Sequence, residues 1–152
     1  MFSPLQGLKN GLSLYSHALK LHLMTASDLI RYLDLSPLPL EGGWFRRTYT
    51  SSARTADGSA VGSAIYYLVT PESSSALHRL YKADELFHYY CGDPTEMIQW
   101  HTGDSHVRRY ILGNRIERGE QPQMLVQAGC WQGLRLIPGG QWALFGVSVY
   151  PA

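Results

Sequence analysis

His78 and Glu85 are the side chains whose types and spacing best suit chemistry. Both lie in one stretch, Ser75-Ala-Leu-His78-Arg-Leu80-Tyr-Lys-Ala-Asp84-Glu85-Leu-Phe87-His88-Tyr-Tyr-Cys-Gly92-Asp-Pro94. An imidazole titrates near neutrality, and burial raises a carboxyl toward it. The pair is therefore suited to bind a polar ligand or to carry a proton. Extended chain alternates its side chains, so Glu85, Phe87 and Tyr89 share one face and His88 takes the other. An inward Glu85 then sits among aromatic rings, and His88 is expected at the surface or an interface unless a bulge turns it. The competing reading is a structural His78–Glu85 pair inside the fold; ligand contact is the reading preferred.

Other residues add recognition rather than reaction. Gln123 and Gln132 can each donate and accept hydrogen bonds, which suits a polar small molecule better than a metal. Trp131 offers a flat apolar face, and Arg46, Arg47 and Arg79 suit a phosphate or carboxylate. Arg46 and Arg47 alternate, so only one enters a given pocket; Arg46 is the candidate and Arg47 is expected in solvent. The sequence has no Gly-x-Ser-x-Gly, no Gly-rich phosphate loop with Lys, no His-Glu-x-x-His and no Cys-x-x-Cys.

The elements that must position these groups are short strands. After Pro37 and Pro39 the hydrophobic period is two. Strands are expected at 44–49, 64–70, 77–80, 85–90, 96–101, 106–112, 124–127, 134–137 and 143–149, with Gly- and Pro-rich turns between them. One short helix, 26–34, is expected behind a Thr25-x-x-Asp28 capping box. The pattern predicts an all-β sandwich or barrel. With 152 residues, 45% of them hydrophobic and 16% charged, the chain has the composition of one ordinary domain. A formal net charge of +1 gives no reason to expect nucleic acid or an anionic membrane as partner. Two cysteines, Cys91 and Cys130, read as free thiols, and a cytoplasmic location is expected.

The blocks around His78 resemble a known pattern. His78-x-Leu80, Glu85 and Gly92 follow the first cupin motif, and Gly129 with Gln132 follows the second. Glu41-Gly42-Gly43-Trp44-Phe45-Arg46, Leu77-His78-Arg79, Asp84-Glu85-x-Phe87-His88 and Gln123…Gly129-x-Trp131-Gln132 resemble the cupin-like DUF985 family, with Phe87 where Trp is usual. The resemblance implies a cupin-type double-stranded β-helix, or jelly roll, over residues 25–152, with residues 1–24 a dispensable leader. By cupin logic the metal set would be His78, Leu80, Glu85 and Gln132, a degenerate set in which His78, Glu85 and Gln132 alone carry donor atoms. No cofactor is expected, and any divalent-metal binding is expected to be weak.

The implied function is a pocket for a small, sugar- or nucleotide-like molecule. Its candidate residues are Glu41, Arg46, His78, Glu85, Phe87, Tyr89, Gln123, Trp131 and Gln132. One alternative is a metal-independent or weakly metal-dependent isomerase or epimerase, with His78 as base and Tyr66, Tyr67 or Tyr89 as acid. Another is a non-catalytic dimeric domain. A homodimer is expected in either case.

Overall fold

In the computed structural model, residues 24–152 are described; the expected leader lies outside them apart from Met24. Helix α1 (Ala26–Tyr32) starts at the capping box read from sequence: Thr25 Oγ1 accepts from the Asp28 amide at 3.2 Å, and Asp28 accepts from the Thr25 amide at 3.1 Å. Seven residues are too few to be helical alone, so packing must hold α1. Leu29 supplies that packing. With Leu35 it joins Leu68 and Leu144 in a cluster edged by Trp44, Tyr66 and Trp142, and burying one such leucine contributes roughly 2 kcal/mol.

The strands are β1 (Ser36–Pro37), β2 (Trp44–Thr50), β3 (Ser63–Val69), β4 (Ser75–His78), β5 (Asp84–Gly92), β6 (Thr95–Trp100), β7 (Arg108–Leu112), β8 (Gln123–Val126), β9 (Trp131–Leu136) and β10 (Ala143–Tyr150). They form two antiparallel sheets, ordered β1-β2-β3-β10-β5-β8 and β4-β9-β6-β7. Side chains of the large sheet divide between two layers, as a two-layer fold requires. On β3, Tyr67 and Val69 point between the sheets while Leu68 points outward beneath α1. On β10, Phe145 and Val147 point inward and Leu144 outward. The inner layer packs Phe87, Met97, Leu112, Val126, Leu134 and Phe145 together, with Phe87 and Tyr89 both edge-on to Phe145. This is the jelly roll that the turn spacing and motifs implied.

Three differences from the expected elements have local causes. β4 is displaced toward the N-terminus, to Ser75–His78, because its pairing with β9 contains a bulge between Ser75 and His78. β9 begins at Trp131 rather than near Leu134, because Trp131, Gln132 and Gly133 pair with Trp100, Gln99 and Ile98. The two-residue β1 and a 3₁₀ turn at Ile116–Arg118 are too short to show a period in the sequence.

Candidate functional site

The bulge in β4 aims His78. On a regular strand Ser75 and His78, three residues apart, would face opposite sides. Here both turn inward, while Ala76 and Leu77 between them are exposed. The His78 Nδ1–H donates to the Ala76 carbonyl at 2.8 Å, which leaves Nε2 as the ring nitrogen facing inward.

Gln132 meets His78 across the β4–β9 pair and is almost wholly buried. Its Nε2–H₂ group donates to Glu85 Oε2 and lies 3.4 Å from His78 Nε2. One amide thus ties the carboxylate of β5 to the imidazole of β4, while the Gln132 Oε1 atom is buried without a partner. Glu85 is also buried, and that burial holds its carboxyl above the usual range against the lowering effects of His78 and Gln132. On the other side of the imidazole, Glu41 Oε2 stands 3.8 Å from His78 Nε2.

Glu41 is delivered by the Glu-Gly-Gly turn, whose glycines have a physical reason. Gly42 and Gly43 have φ of +83° and +75°, the left-handed region where glycine has no steric penalty. A Cβ on Gly42 would strike the Ser74 carbonyl, and one on Gly43 would lie 2.6 Å from the Tyr67 ring. The close approach lets Glu41 O accept from the Ala76 amide at 2.6 Å and Ser73 Oγ accept from the Gly43 amide at 2.8 Å. Tyr67 completes the clamp by donating to Gly42 O at 3.0 Å; its phenol is pushed up to about 12, chiefly by burial, so it stays a donor.

These groups surround an inner chamber of about 20 Å³, room for one hydroxyl-sized group, lined by Glu41, Tyr67, Ser75, His78, Glu85 and Phe87. It adjoins an outer cleft of about 540 Å³, with Leu38, Glu41, Ile65 and Glu85 common to both. Phe45, Ile65 and Leu80 give the cleft apolar walls, and Arg47, Arg79 and Lys82 also line it.

Of the residues predicted from sequence, Glu41, His78, Glu85, Phe87 and Gln132 come together here. The other four do not. Arg46 is on the outer face of β2, its guanidinium 5.5 Å from the Tyr66 ring centre, and Arg47 is the one that lines the cleft. This reverses the expected order, because buried Gly43 sets the phase of β2 so that Phe45 and Arg47 follow it inward, opposite Tyr67 and Ile65. Trp131 neighbours inward Gln132 on β9 and so faces away from the interior, under the Arg79 guanidinium at 4.7 Å. Gln123 lies exposed on edge strand β8, 3.2 Å from His88 Nδ1. Tyr89 lines a separate cleft of about 590 Å³ with Arg115 and Glu120. Sequence reasoning did not single out Phe45, Ile65 or Lys82; the shared two-residue phase of β2 and β3 was the signal for the first two.

The cupin metal set does not fit these residues. Leu80 has no donor atom, and Gln132 turns its amide N–H₂, not a ligand atom, toward Glu85. Among the described residues, no three or more His, Cys, Asp and Glu side chains group as metal ligands. No helix among them is long and apolar enough to cross a membrane.

Comparison with known proteins agrees with the fold. A hypothetical protein from Leishmania major is 32% identical, with TM-score 0.76 over 84% of this chain and 82% of that one. Protein SO0799 from Shewanella oneidensis is 29% identical, with TM-score 0.79 over 86% and 80%. The capsular polysaccharide assembling protein CapF from Staphylococcus aureus shares the fold alone, at 13% identity and TM-score 0.59 over 78% of this chain and 28% of that one. No curated protein matches the chain. The model described as Cupin superfamily (DUF985) matches residues 27–152, so by motif, fold and family match alike this chain belongs to the DUF985 family of the cupin superfamily.

Proposed function

We propose that the chain binds a small hydroxylated molecule, sugar- or nucleotide-like in size and polarity, in the cleft between Phe45, Ile65 and Leu80. The observation that carries this reading is the narrowing of an apolar-walled cleft onto Glu41, His78 and Glu85. Few convergent polar groups at the base of a concave apolar site is the usual construction of a ligand pocket. Hydroxyl groups suit that base, since the carboxylate oxygens of Glu41 and Glu85 accept from them and the His78 imidazole stands beside both. A cleft of about 540 Å³ is also the right size for one such molecule.

Thermal unfolding with hydroxylated compounds tests it. A ligand present at about a hundred times its Kd adds about 2.7 kcal/mol, and at roughly 2–4 °C per kcal/mol the midpoint rises by about 5–11 °C. His78→Ala should abolish the rise. An equal rise in His78→Ala would place the ligand elsewhere.

A second reading, metal-independent isomerisation or epimerisation, is favoured by one observation. The side chains of His78 and Tyr67 line the same inner chamber, at the base of the cleft. In that reading His78 takes the proton and Tyr67 orients the substrate rather than acting as the acid, given its raised pKa. Exchange of substrate C–H hydrogen into heavy water, absent in His78→Ala, is the expected signature.

A further inference from the structure

The cations of this chain are unevenly satisfied. Among the described residues, Arg31, Arg108, Arg109, Arg115, Arg118 and Arg135 each have a carboxylate within 4.0 Å. That leaves Arg46, Arg47, Arg54, Arg79 and Lys82 without one. Three of those five, Arg47, Arg79 and Lys82, line the outer cleft. They arrive from unrelated places, Arg47 from β2 and the other two from the β4–β5 connection. The Arg79 guanidinium lies over the Tyr81 and Trp131 rings, 4.3 and 4.7 Å from their centroids, and donates to Tyr81 Oη at 2.8 Å and to Thr102 Oγ1 at 3.4 Å. Its Nε is buried without a partner. Three cations around one concavity can engage a single anion together, whereas scattered surface cations cannot.

The same cleft has carboxylates, Glu41 and Glu85, where it adjoins the inner chamber. Neither comes within 4.0 Å of the three cations, so the site carries opposite charges held apart. Such a site is complementary to a ligand that is itself two-ended. One end accepts charge-assisted hydrogen bonds, and the other donates from hydroxyls.

We infer that the ligand is an anionic polyol, whose phosphate or carboxylate is held by Arg47, Lys82 and Arg79 while its hydroxyls reach Glu41, His78 and Glu85. The inference rests on the proposed small-molecule site and adds the charge and orientation of its occupant. Arg46 and Arg54 are internal controls, because they are equally without a carboxylate and lie outside the cleft.

The test is amide-resolved NMR titration of the full chain at low salt. The probes are inorganic phosphate, glucose, glucose 1-phosphate and glucuronate. Phosphate should move the amides of Arg47, Tyr81, Lys82 and Ala83 and leave those of Arg46 and Arg54 in place. Glucose 1-phosphate or glucuronate should bind at least about tenfold tighter than glucose and extend the perturbation to Glu41 and Glu85; which of the two binds tighter identifies the anion as phosphate or carboxylate. The variant Arg47→Ala/Lys82→Ala, both exposed and neither holding the core, should bring the charged sugar down to the affinity of glucose. Equal binding of glucose and both charged sugars, or equal phosphate effects at Arg46 and Arg54, would overturn the inference while leaving a small-molecule site standing. Phosphate effects confined to Arg47 and Lys82, with no sugar moving Glu41 or Glu85, would uphold the anion site and count against the hydroxyl-binding base instead.

Discussion

Replacing Gln132 by Leu isolates the amide that joins the site. The substitution keeps the volume roughly constant and removes both hydrogens that serve Glu85 and His78. Leaving a buried carboxylate without its donor costs about 1–3 kcal/mol, and more where the group is charged. Two gains oppose this. The unpartnered Gln132 Oε1 disappears, and a buried leucine adds apolar contact, together recovering about 1–2 kcal/mol. At neutral pH the charged orphan should win, for a net loss of about 2 kcal/mol, or roughly 4–8 °C in midpoint for a chain of this length. The pH dependence separates this account from simple misfit. The Glu85 carboxyl is raised in the folded protein, so the stability it contributes is complete below about 4.5 and is lost as pH rises through its folded value. Removing Gln132 takes away a group that lowers that value, so the loss grows at neutral pH. In acid the carboxyl is protonated in both proteins and the difference should shrink to below about 1 kcal/mol. Thermal unfolding followed by circular dichroism, near pH 7 and again just below 4.5, reads both. A penalty of the same size at both pH values, or none at neutral pH, would refute the network as described.

Three further outcomes follow from the same structure. Gly43→Ala forces a left-handed alanine and a Cβ 2.6 Å from the Tyr67 ring, so denaturant titration should show a loss of about 2–5 kcal/mol. Protein purified without chelator should carry well under one equivalent of transition metal by elemental analysis, whereas Leu80→His/Gln132→His should bind nickel near stoichiometrically and gain midpoint with it; full occupancy in the wild type would mean that the hydrogen-bonded arrangement of Glu85, Gln132 and His78 gives way to ligation. Light scattering at micromolar concentration should return twice the chain mass, and a monomer through a dilution series would remove the expected homodimer.

Most of the fold was legible because period-two alternation from Trp44 to Val149 leaves little else to build. The capping box likewise marked the start of α1 to the residue. Half of the candidate site was legible for a different reason. The resemblance of the blocks around His78, Glu85 and Gln132 to the two cupin motifs implied that three strands, β4, β5 and β9, meet at one point. What failed was phase. Whether Arg46 or Arg47 faces the cleft depends on the buried Gly43 and the β2–β3 register, which no local pattern on β2 encodes. Trp131 was read as a flat face for a ligand, yet its neighbour Gln132 points inward, and neighbours on a strand take opposite faces. The β4 bulge, which alone turns His78 inward after Ser75, has no glycine or proline to announce it.

The most direct test of the central claim is native mass spectrometry of the full chain taken straight from cells, in parallel with Glu41→Gln/His78→Ala. The account predicts a discrete adduct of small-molecule mass on the wild type, released on denaturation and absent from the double variant, with fragments showing a hydroxylated skeleton. A wild-type chain that is adduct-free under the gentlest conditions, and whose unfolding midpoint no hydroxylated compound raises, would contradict it.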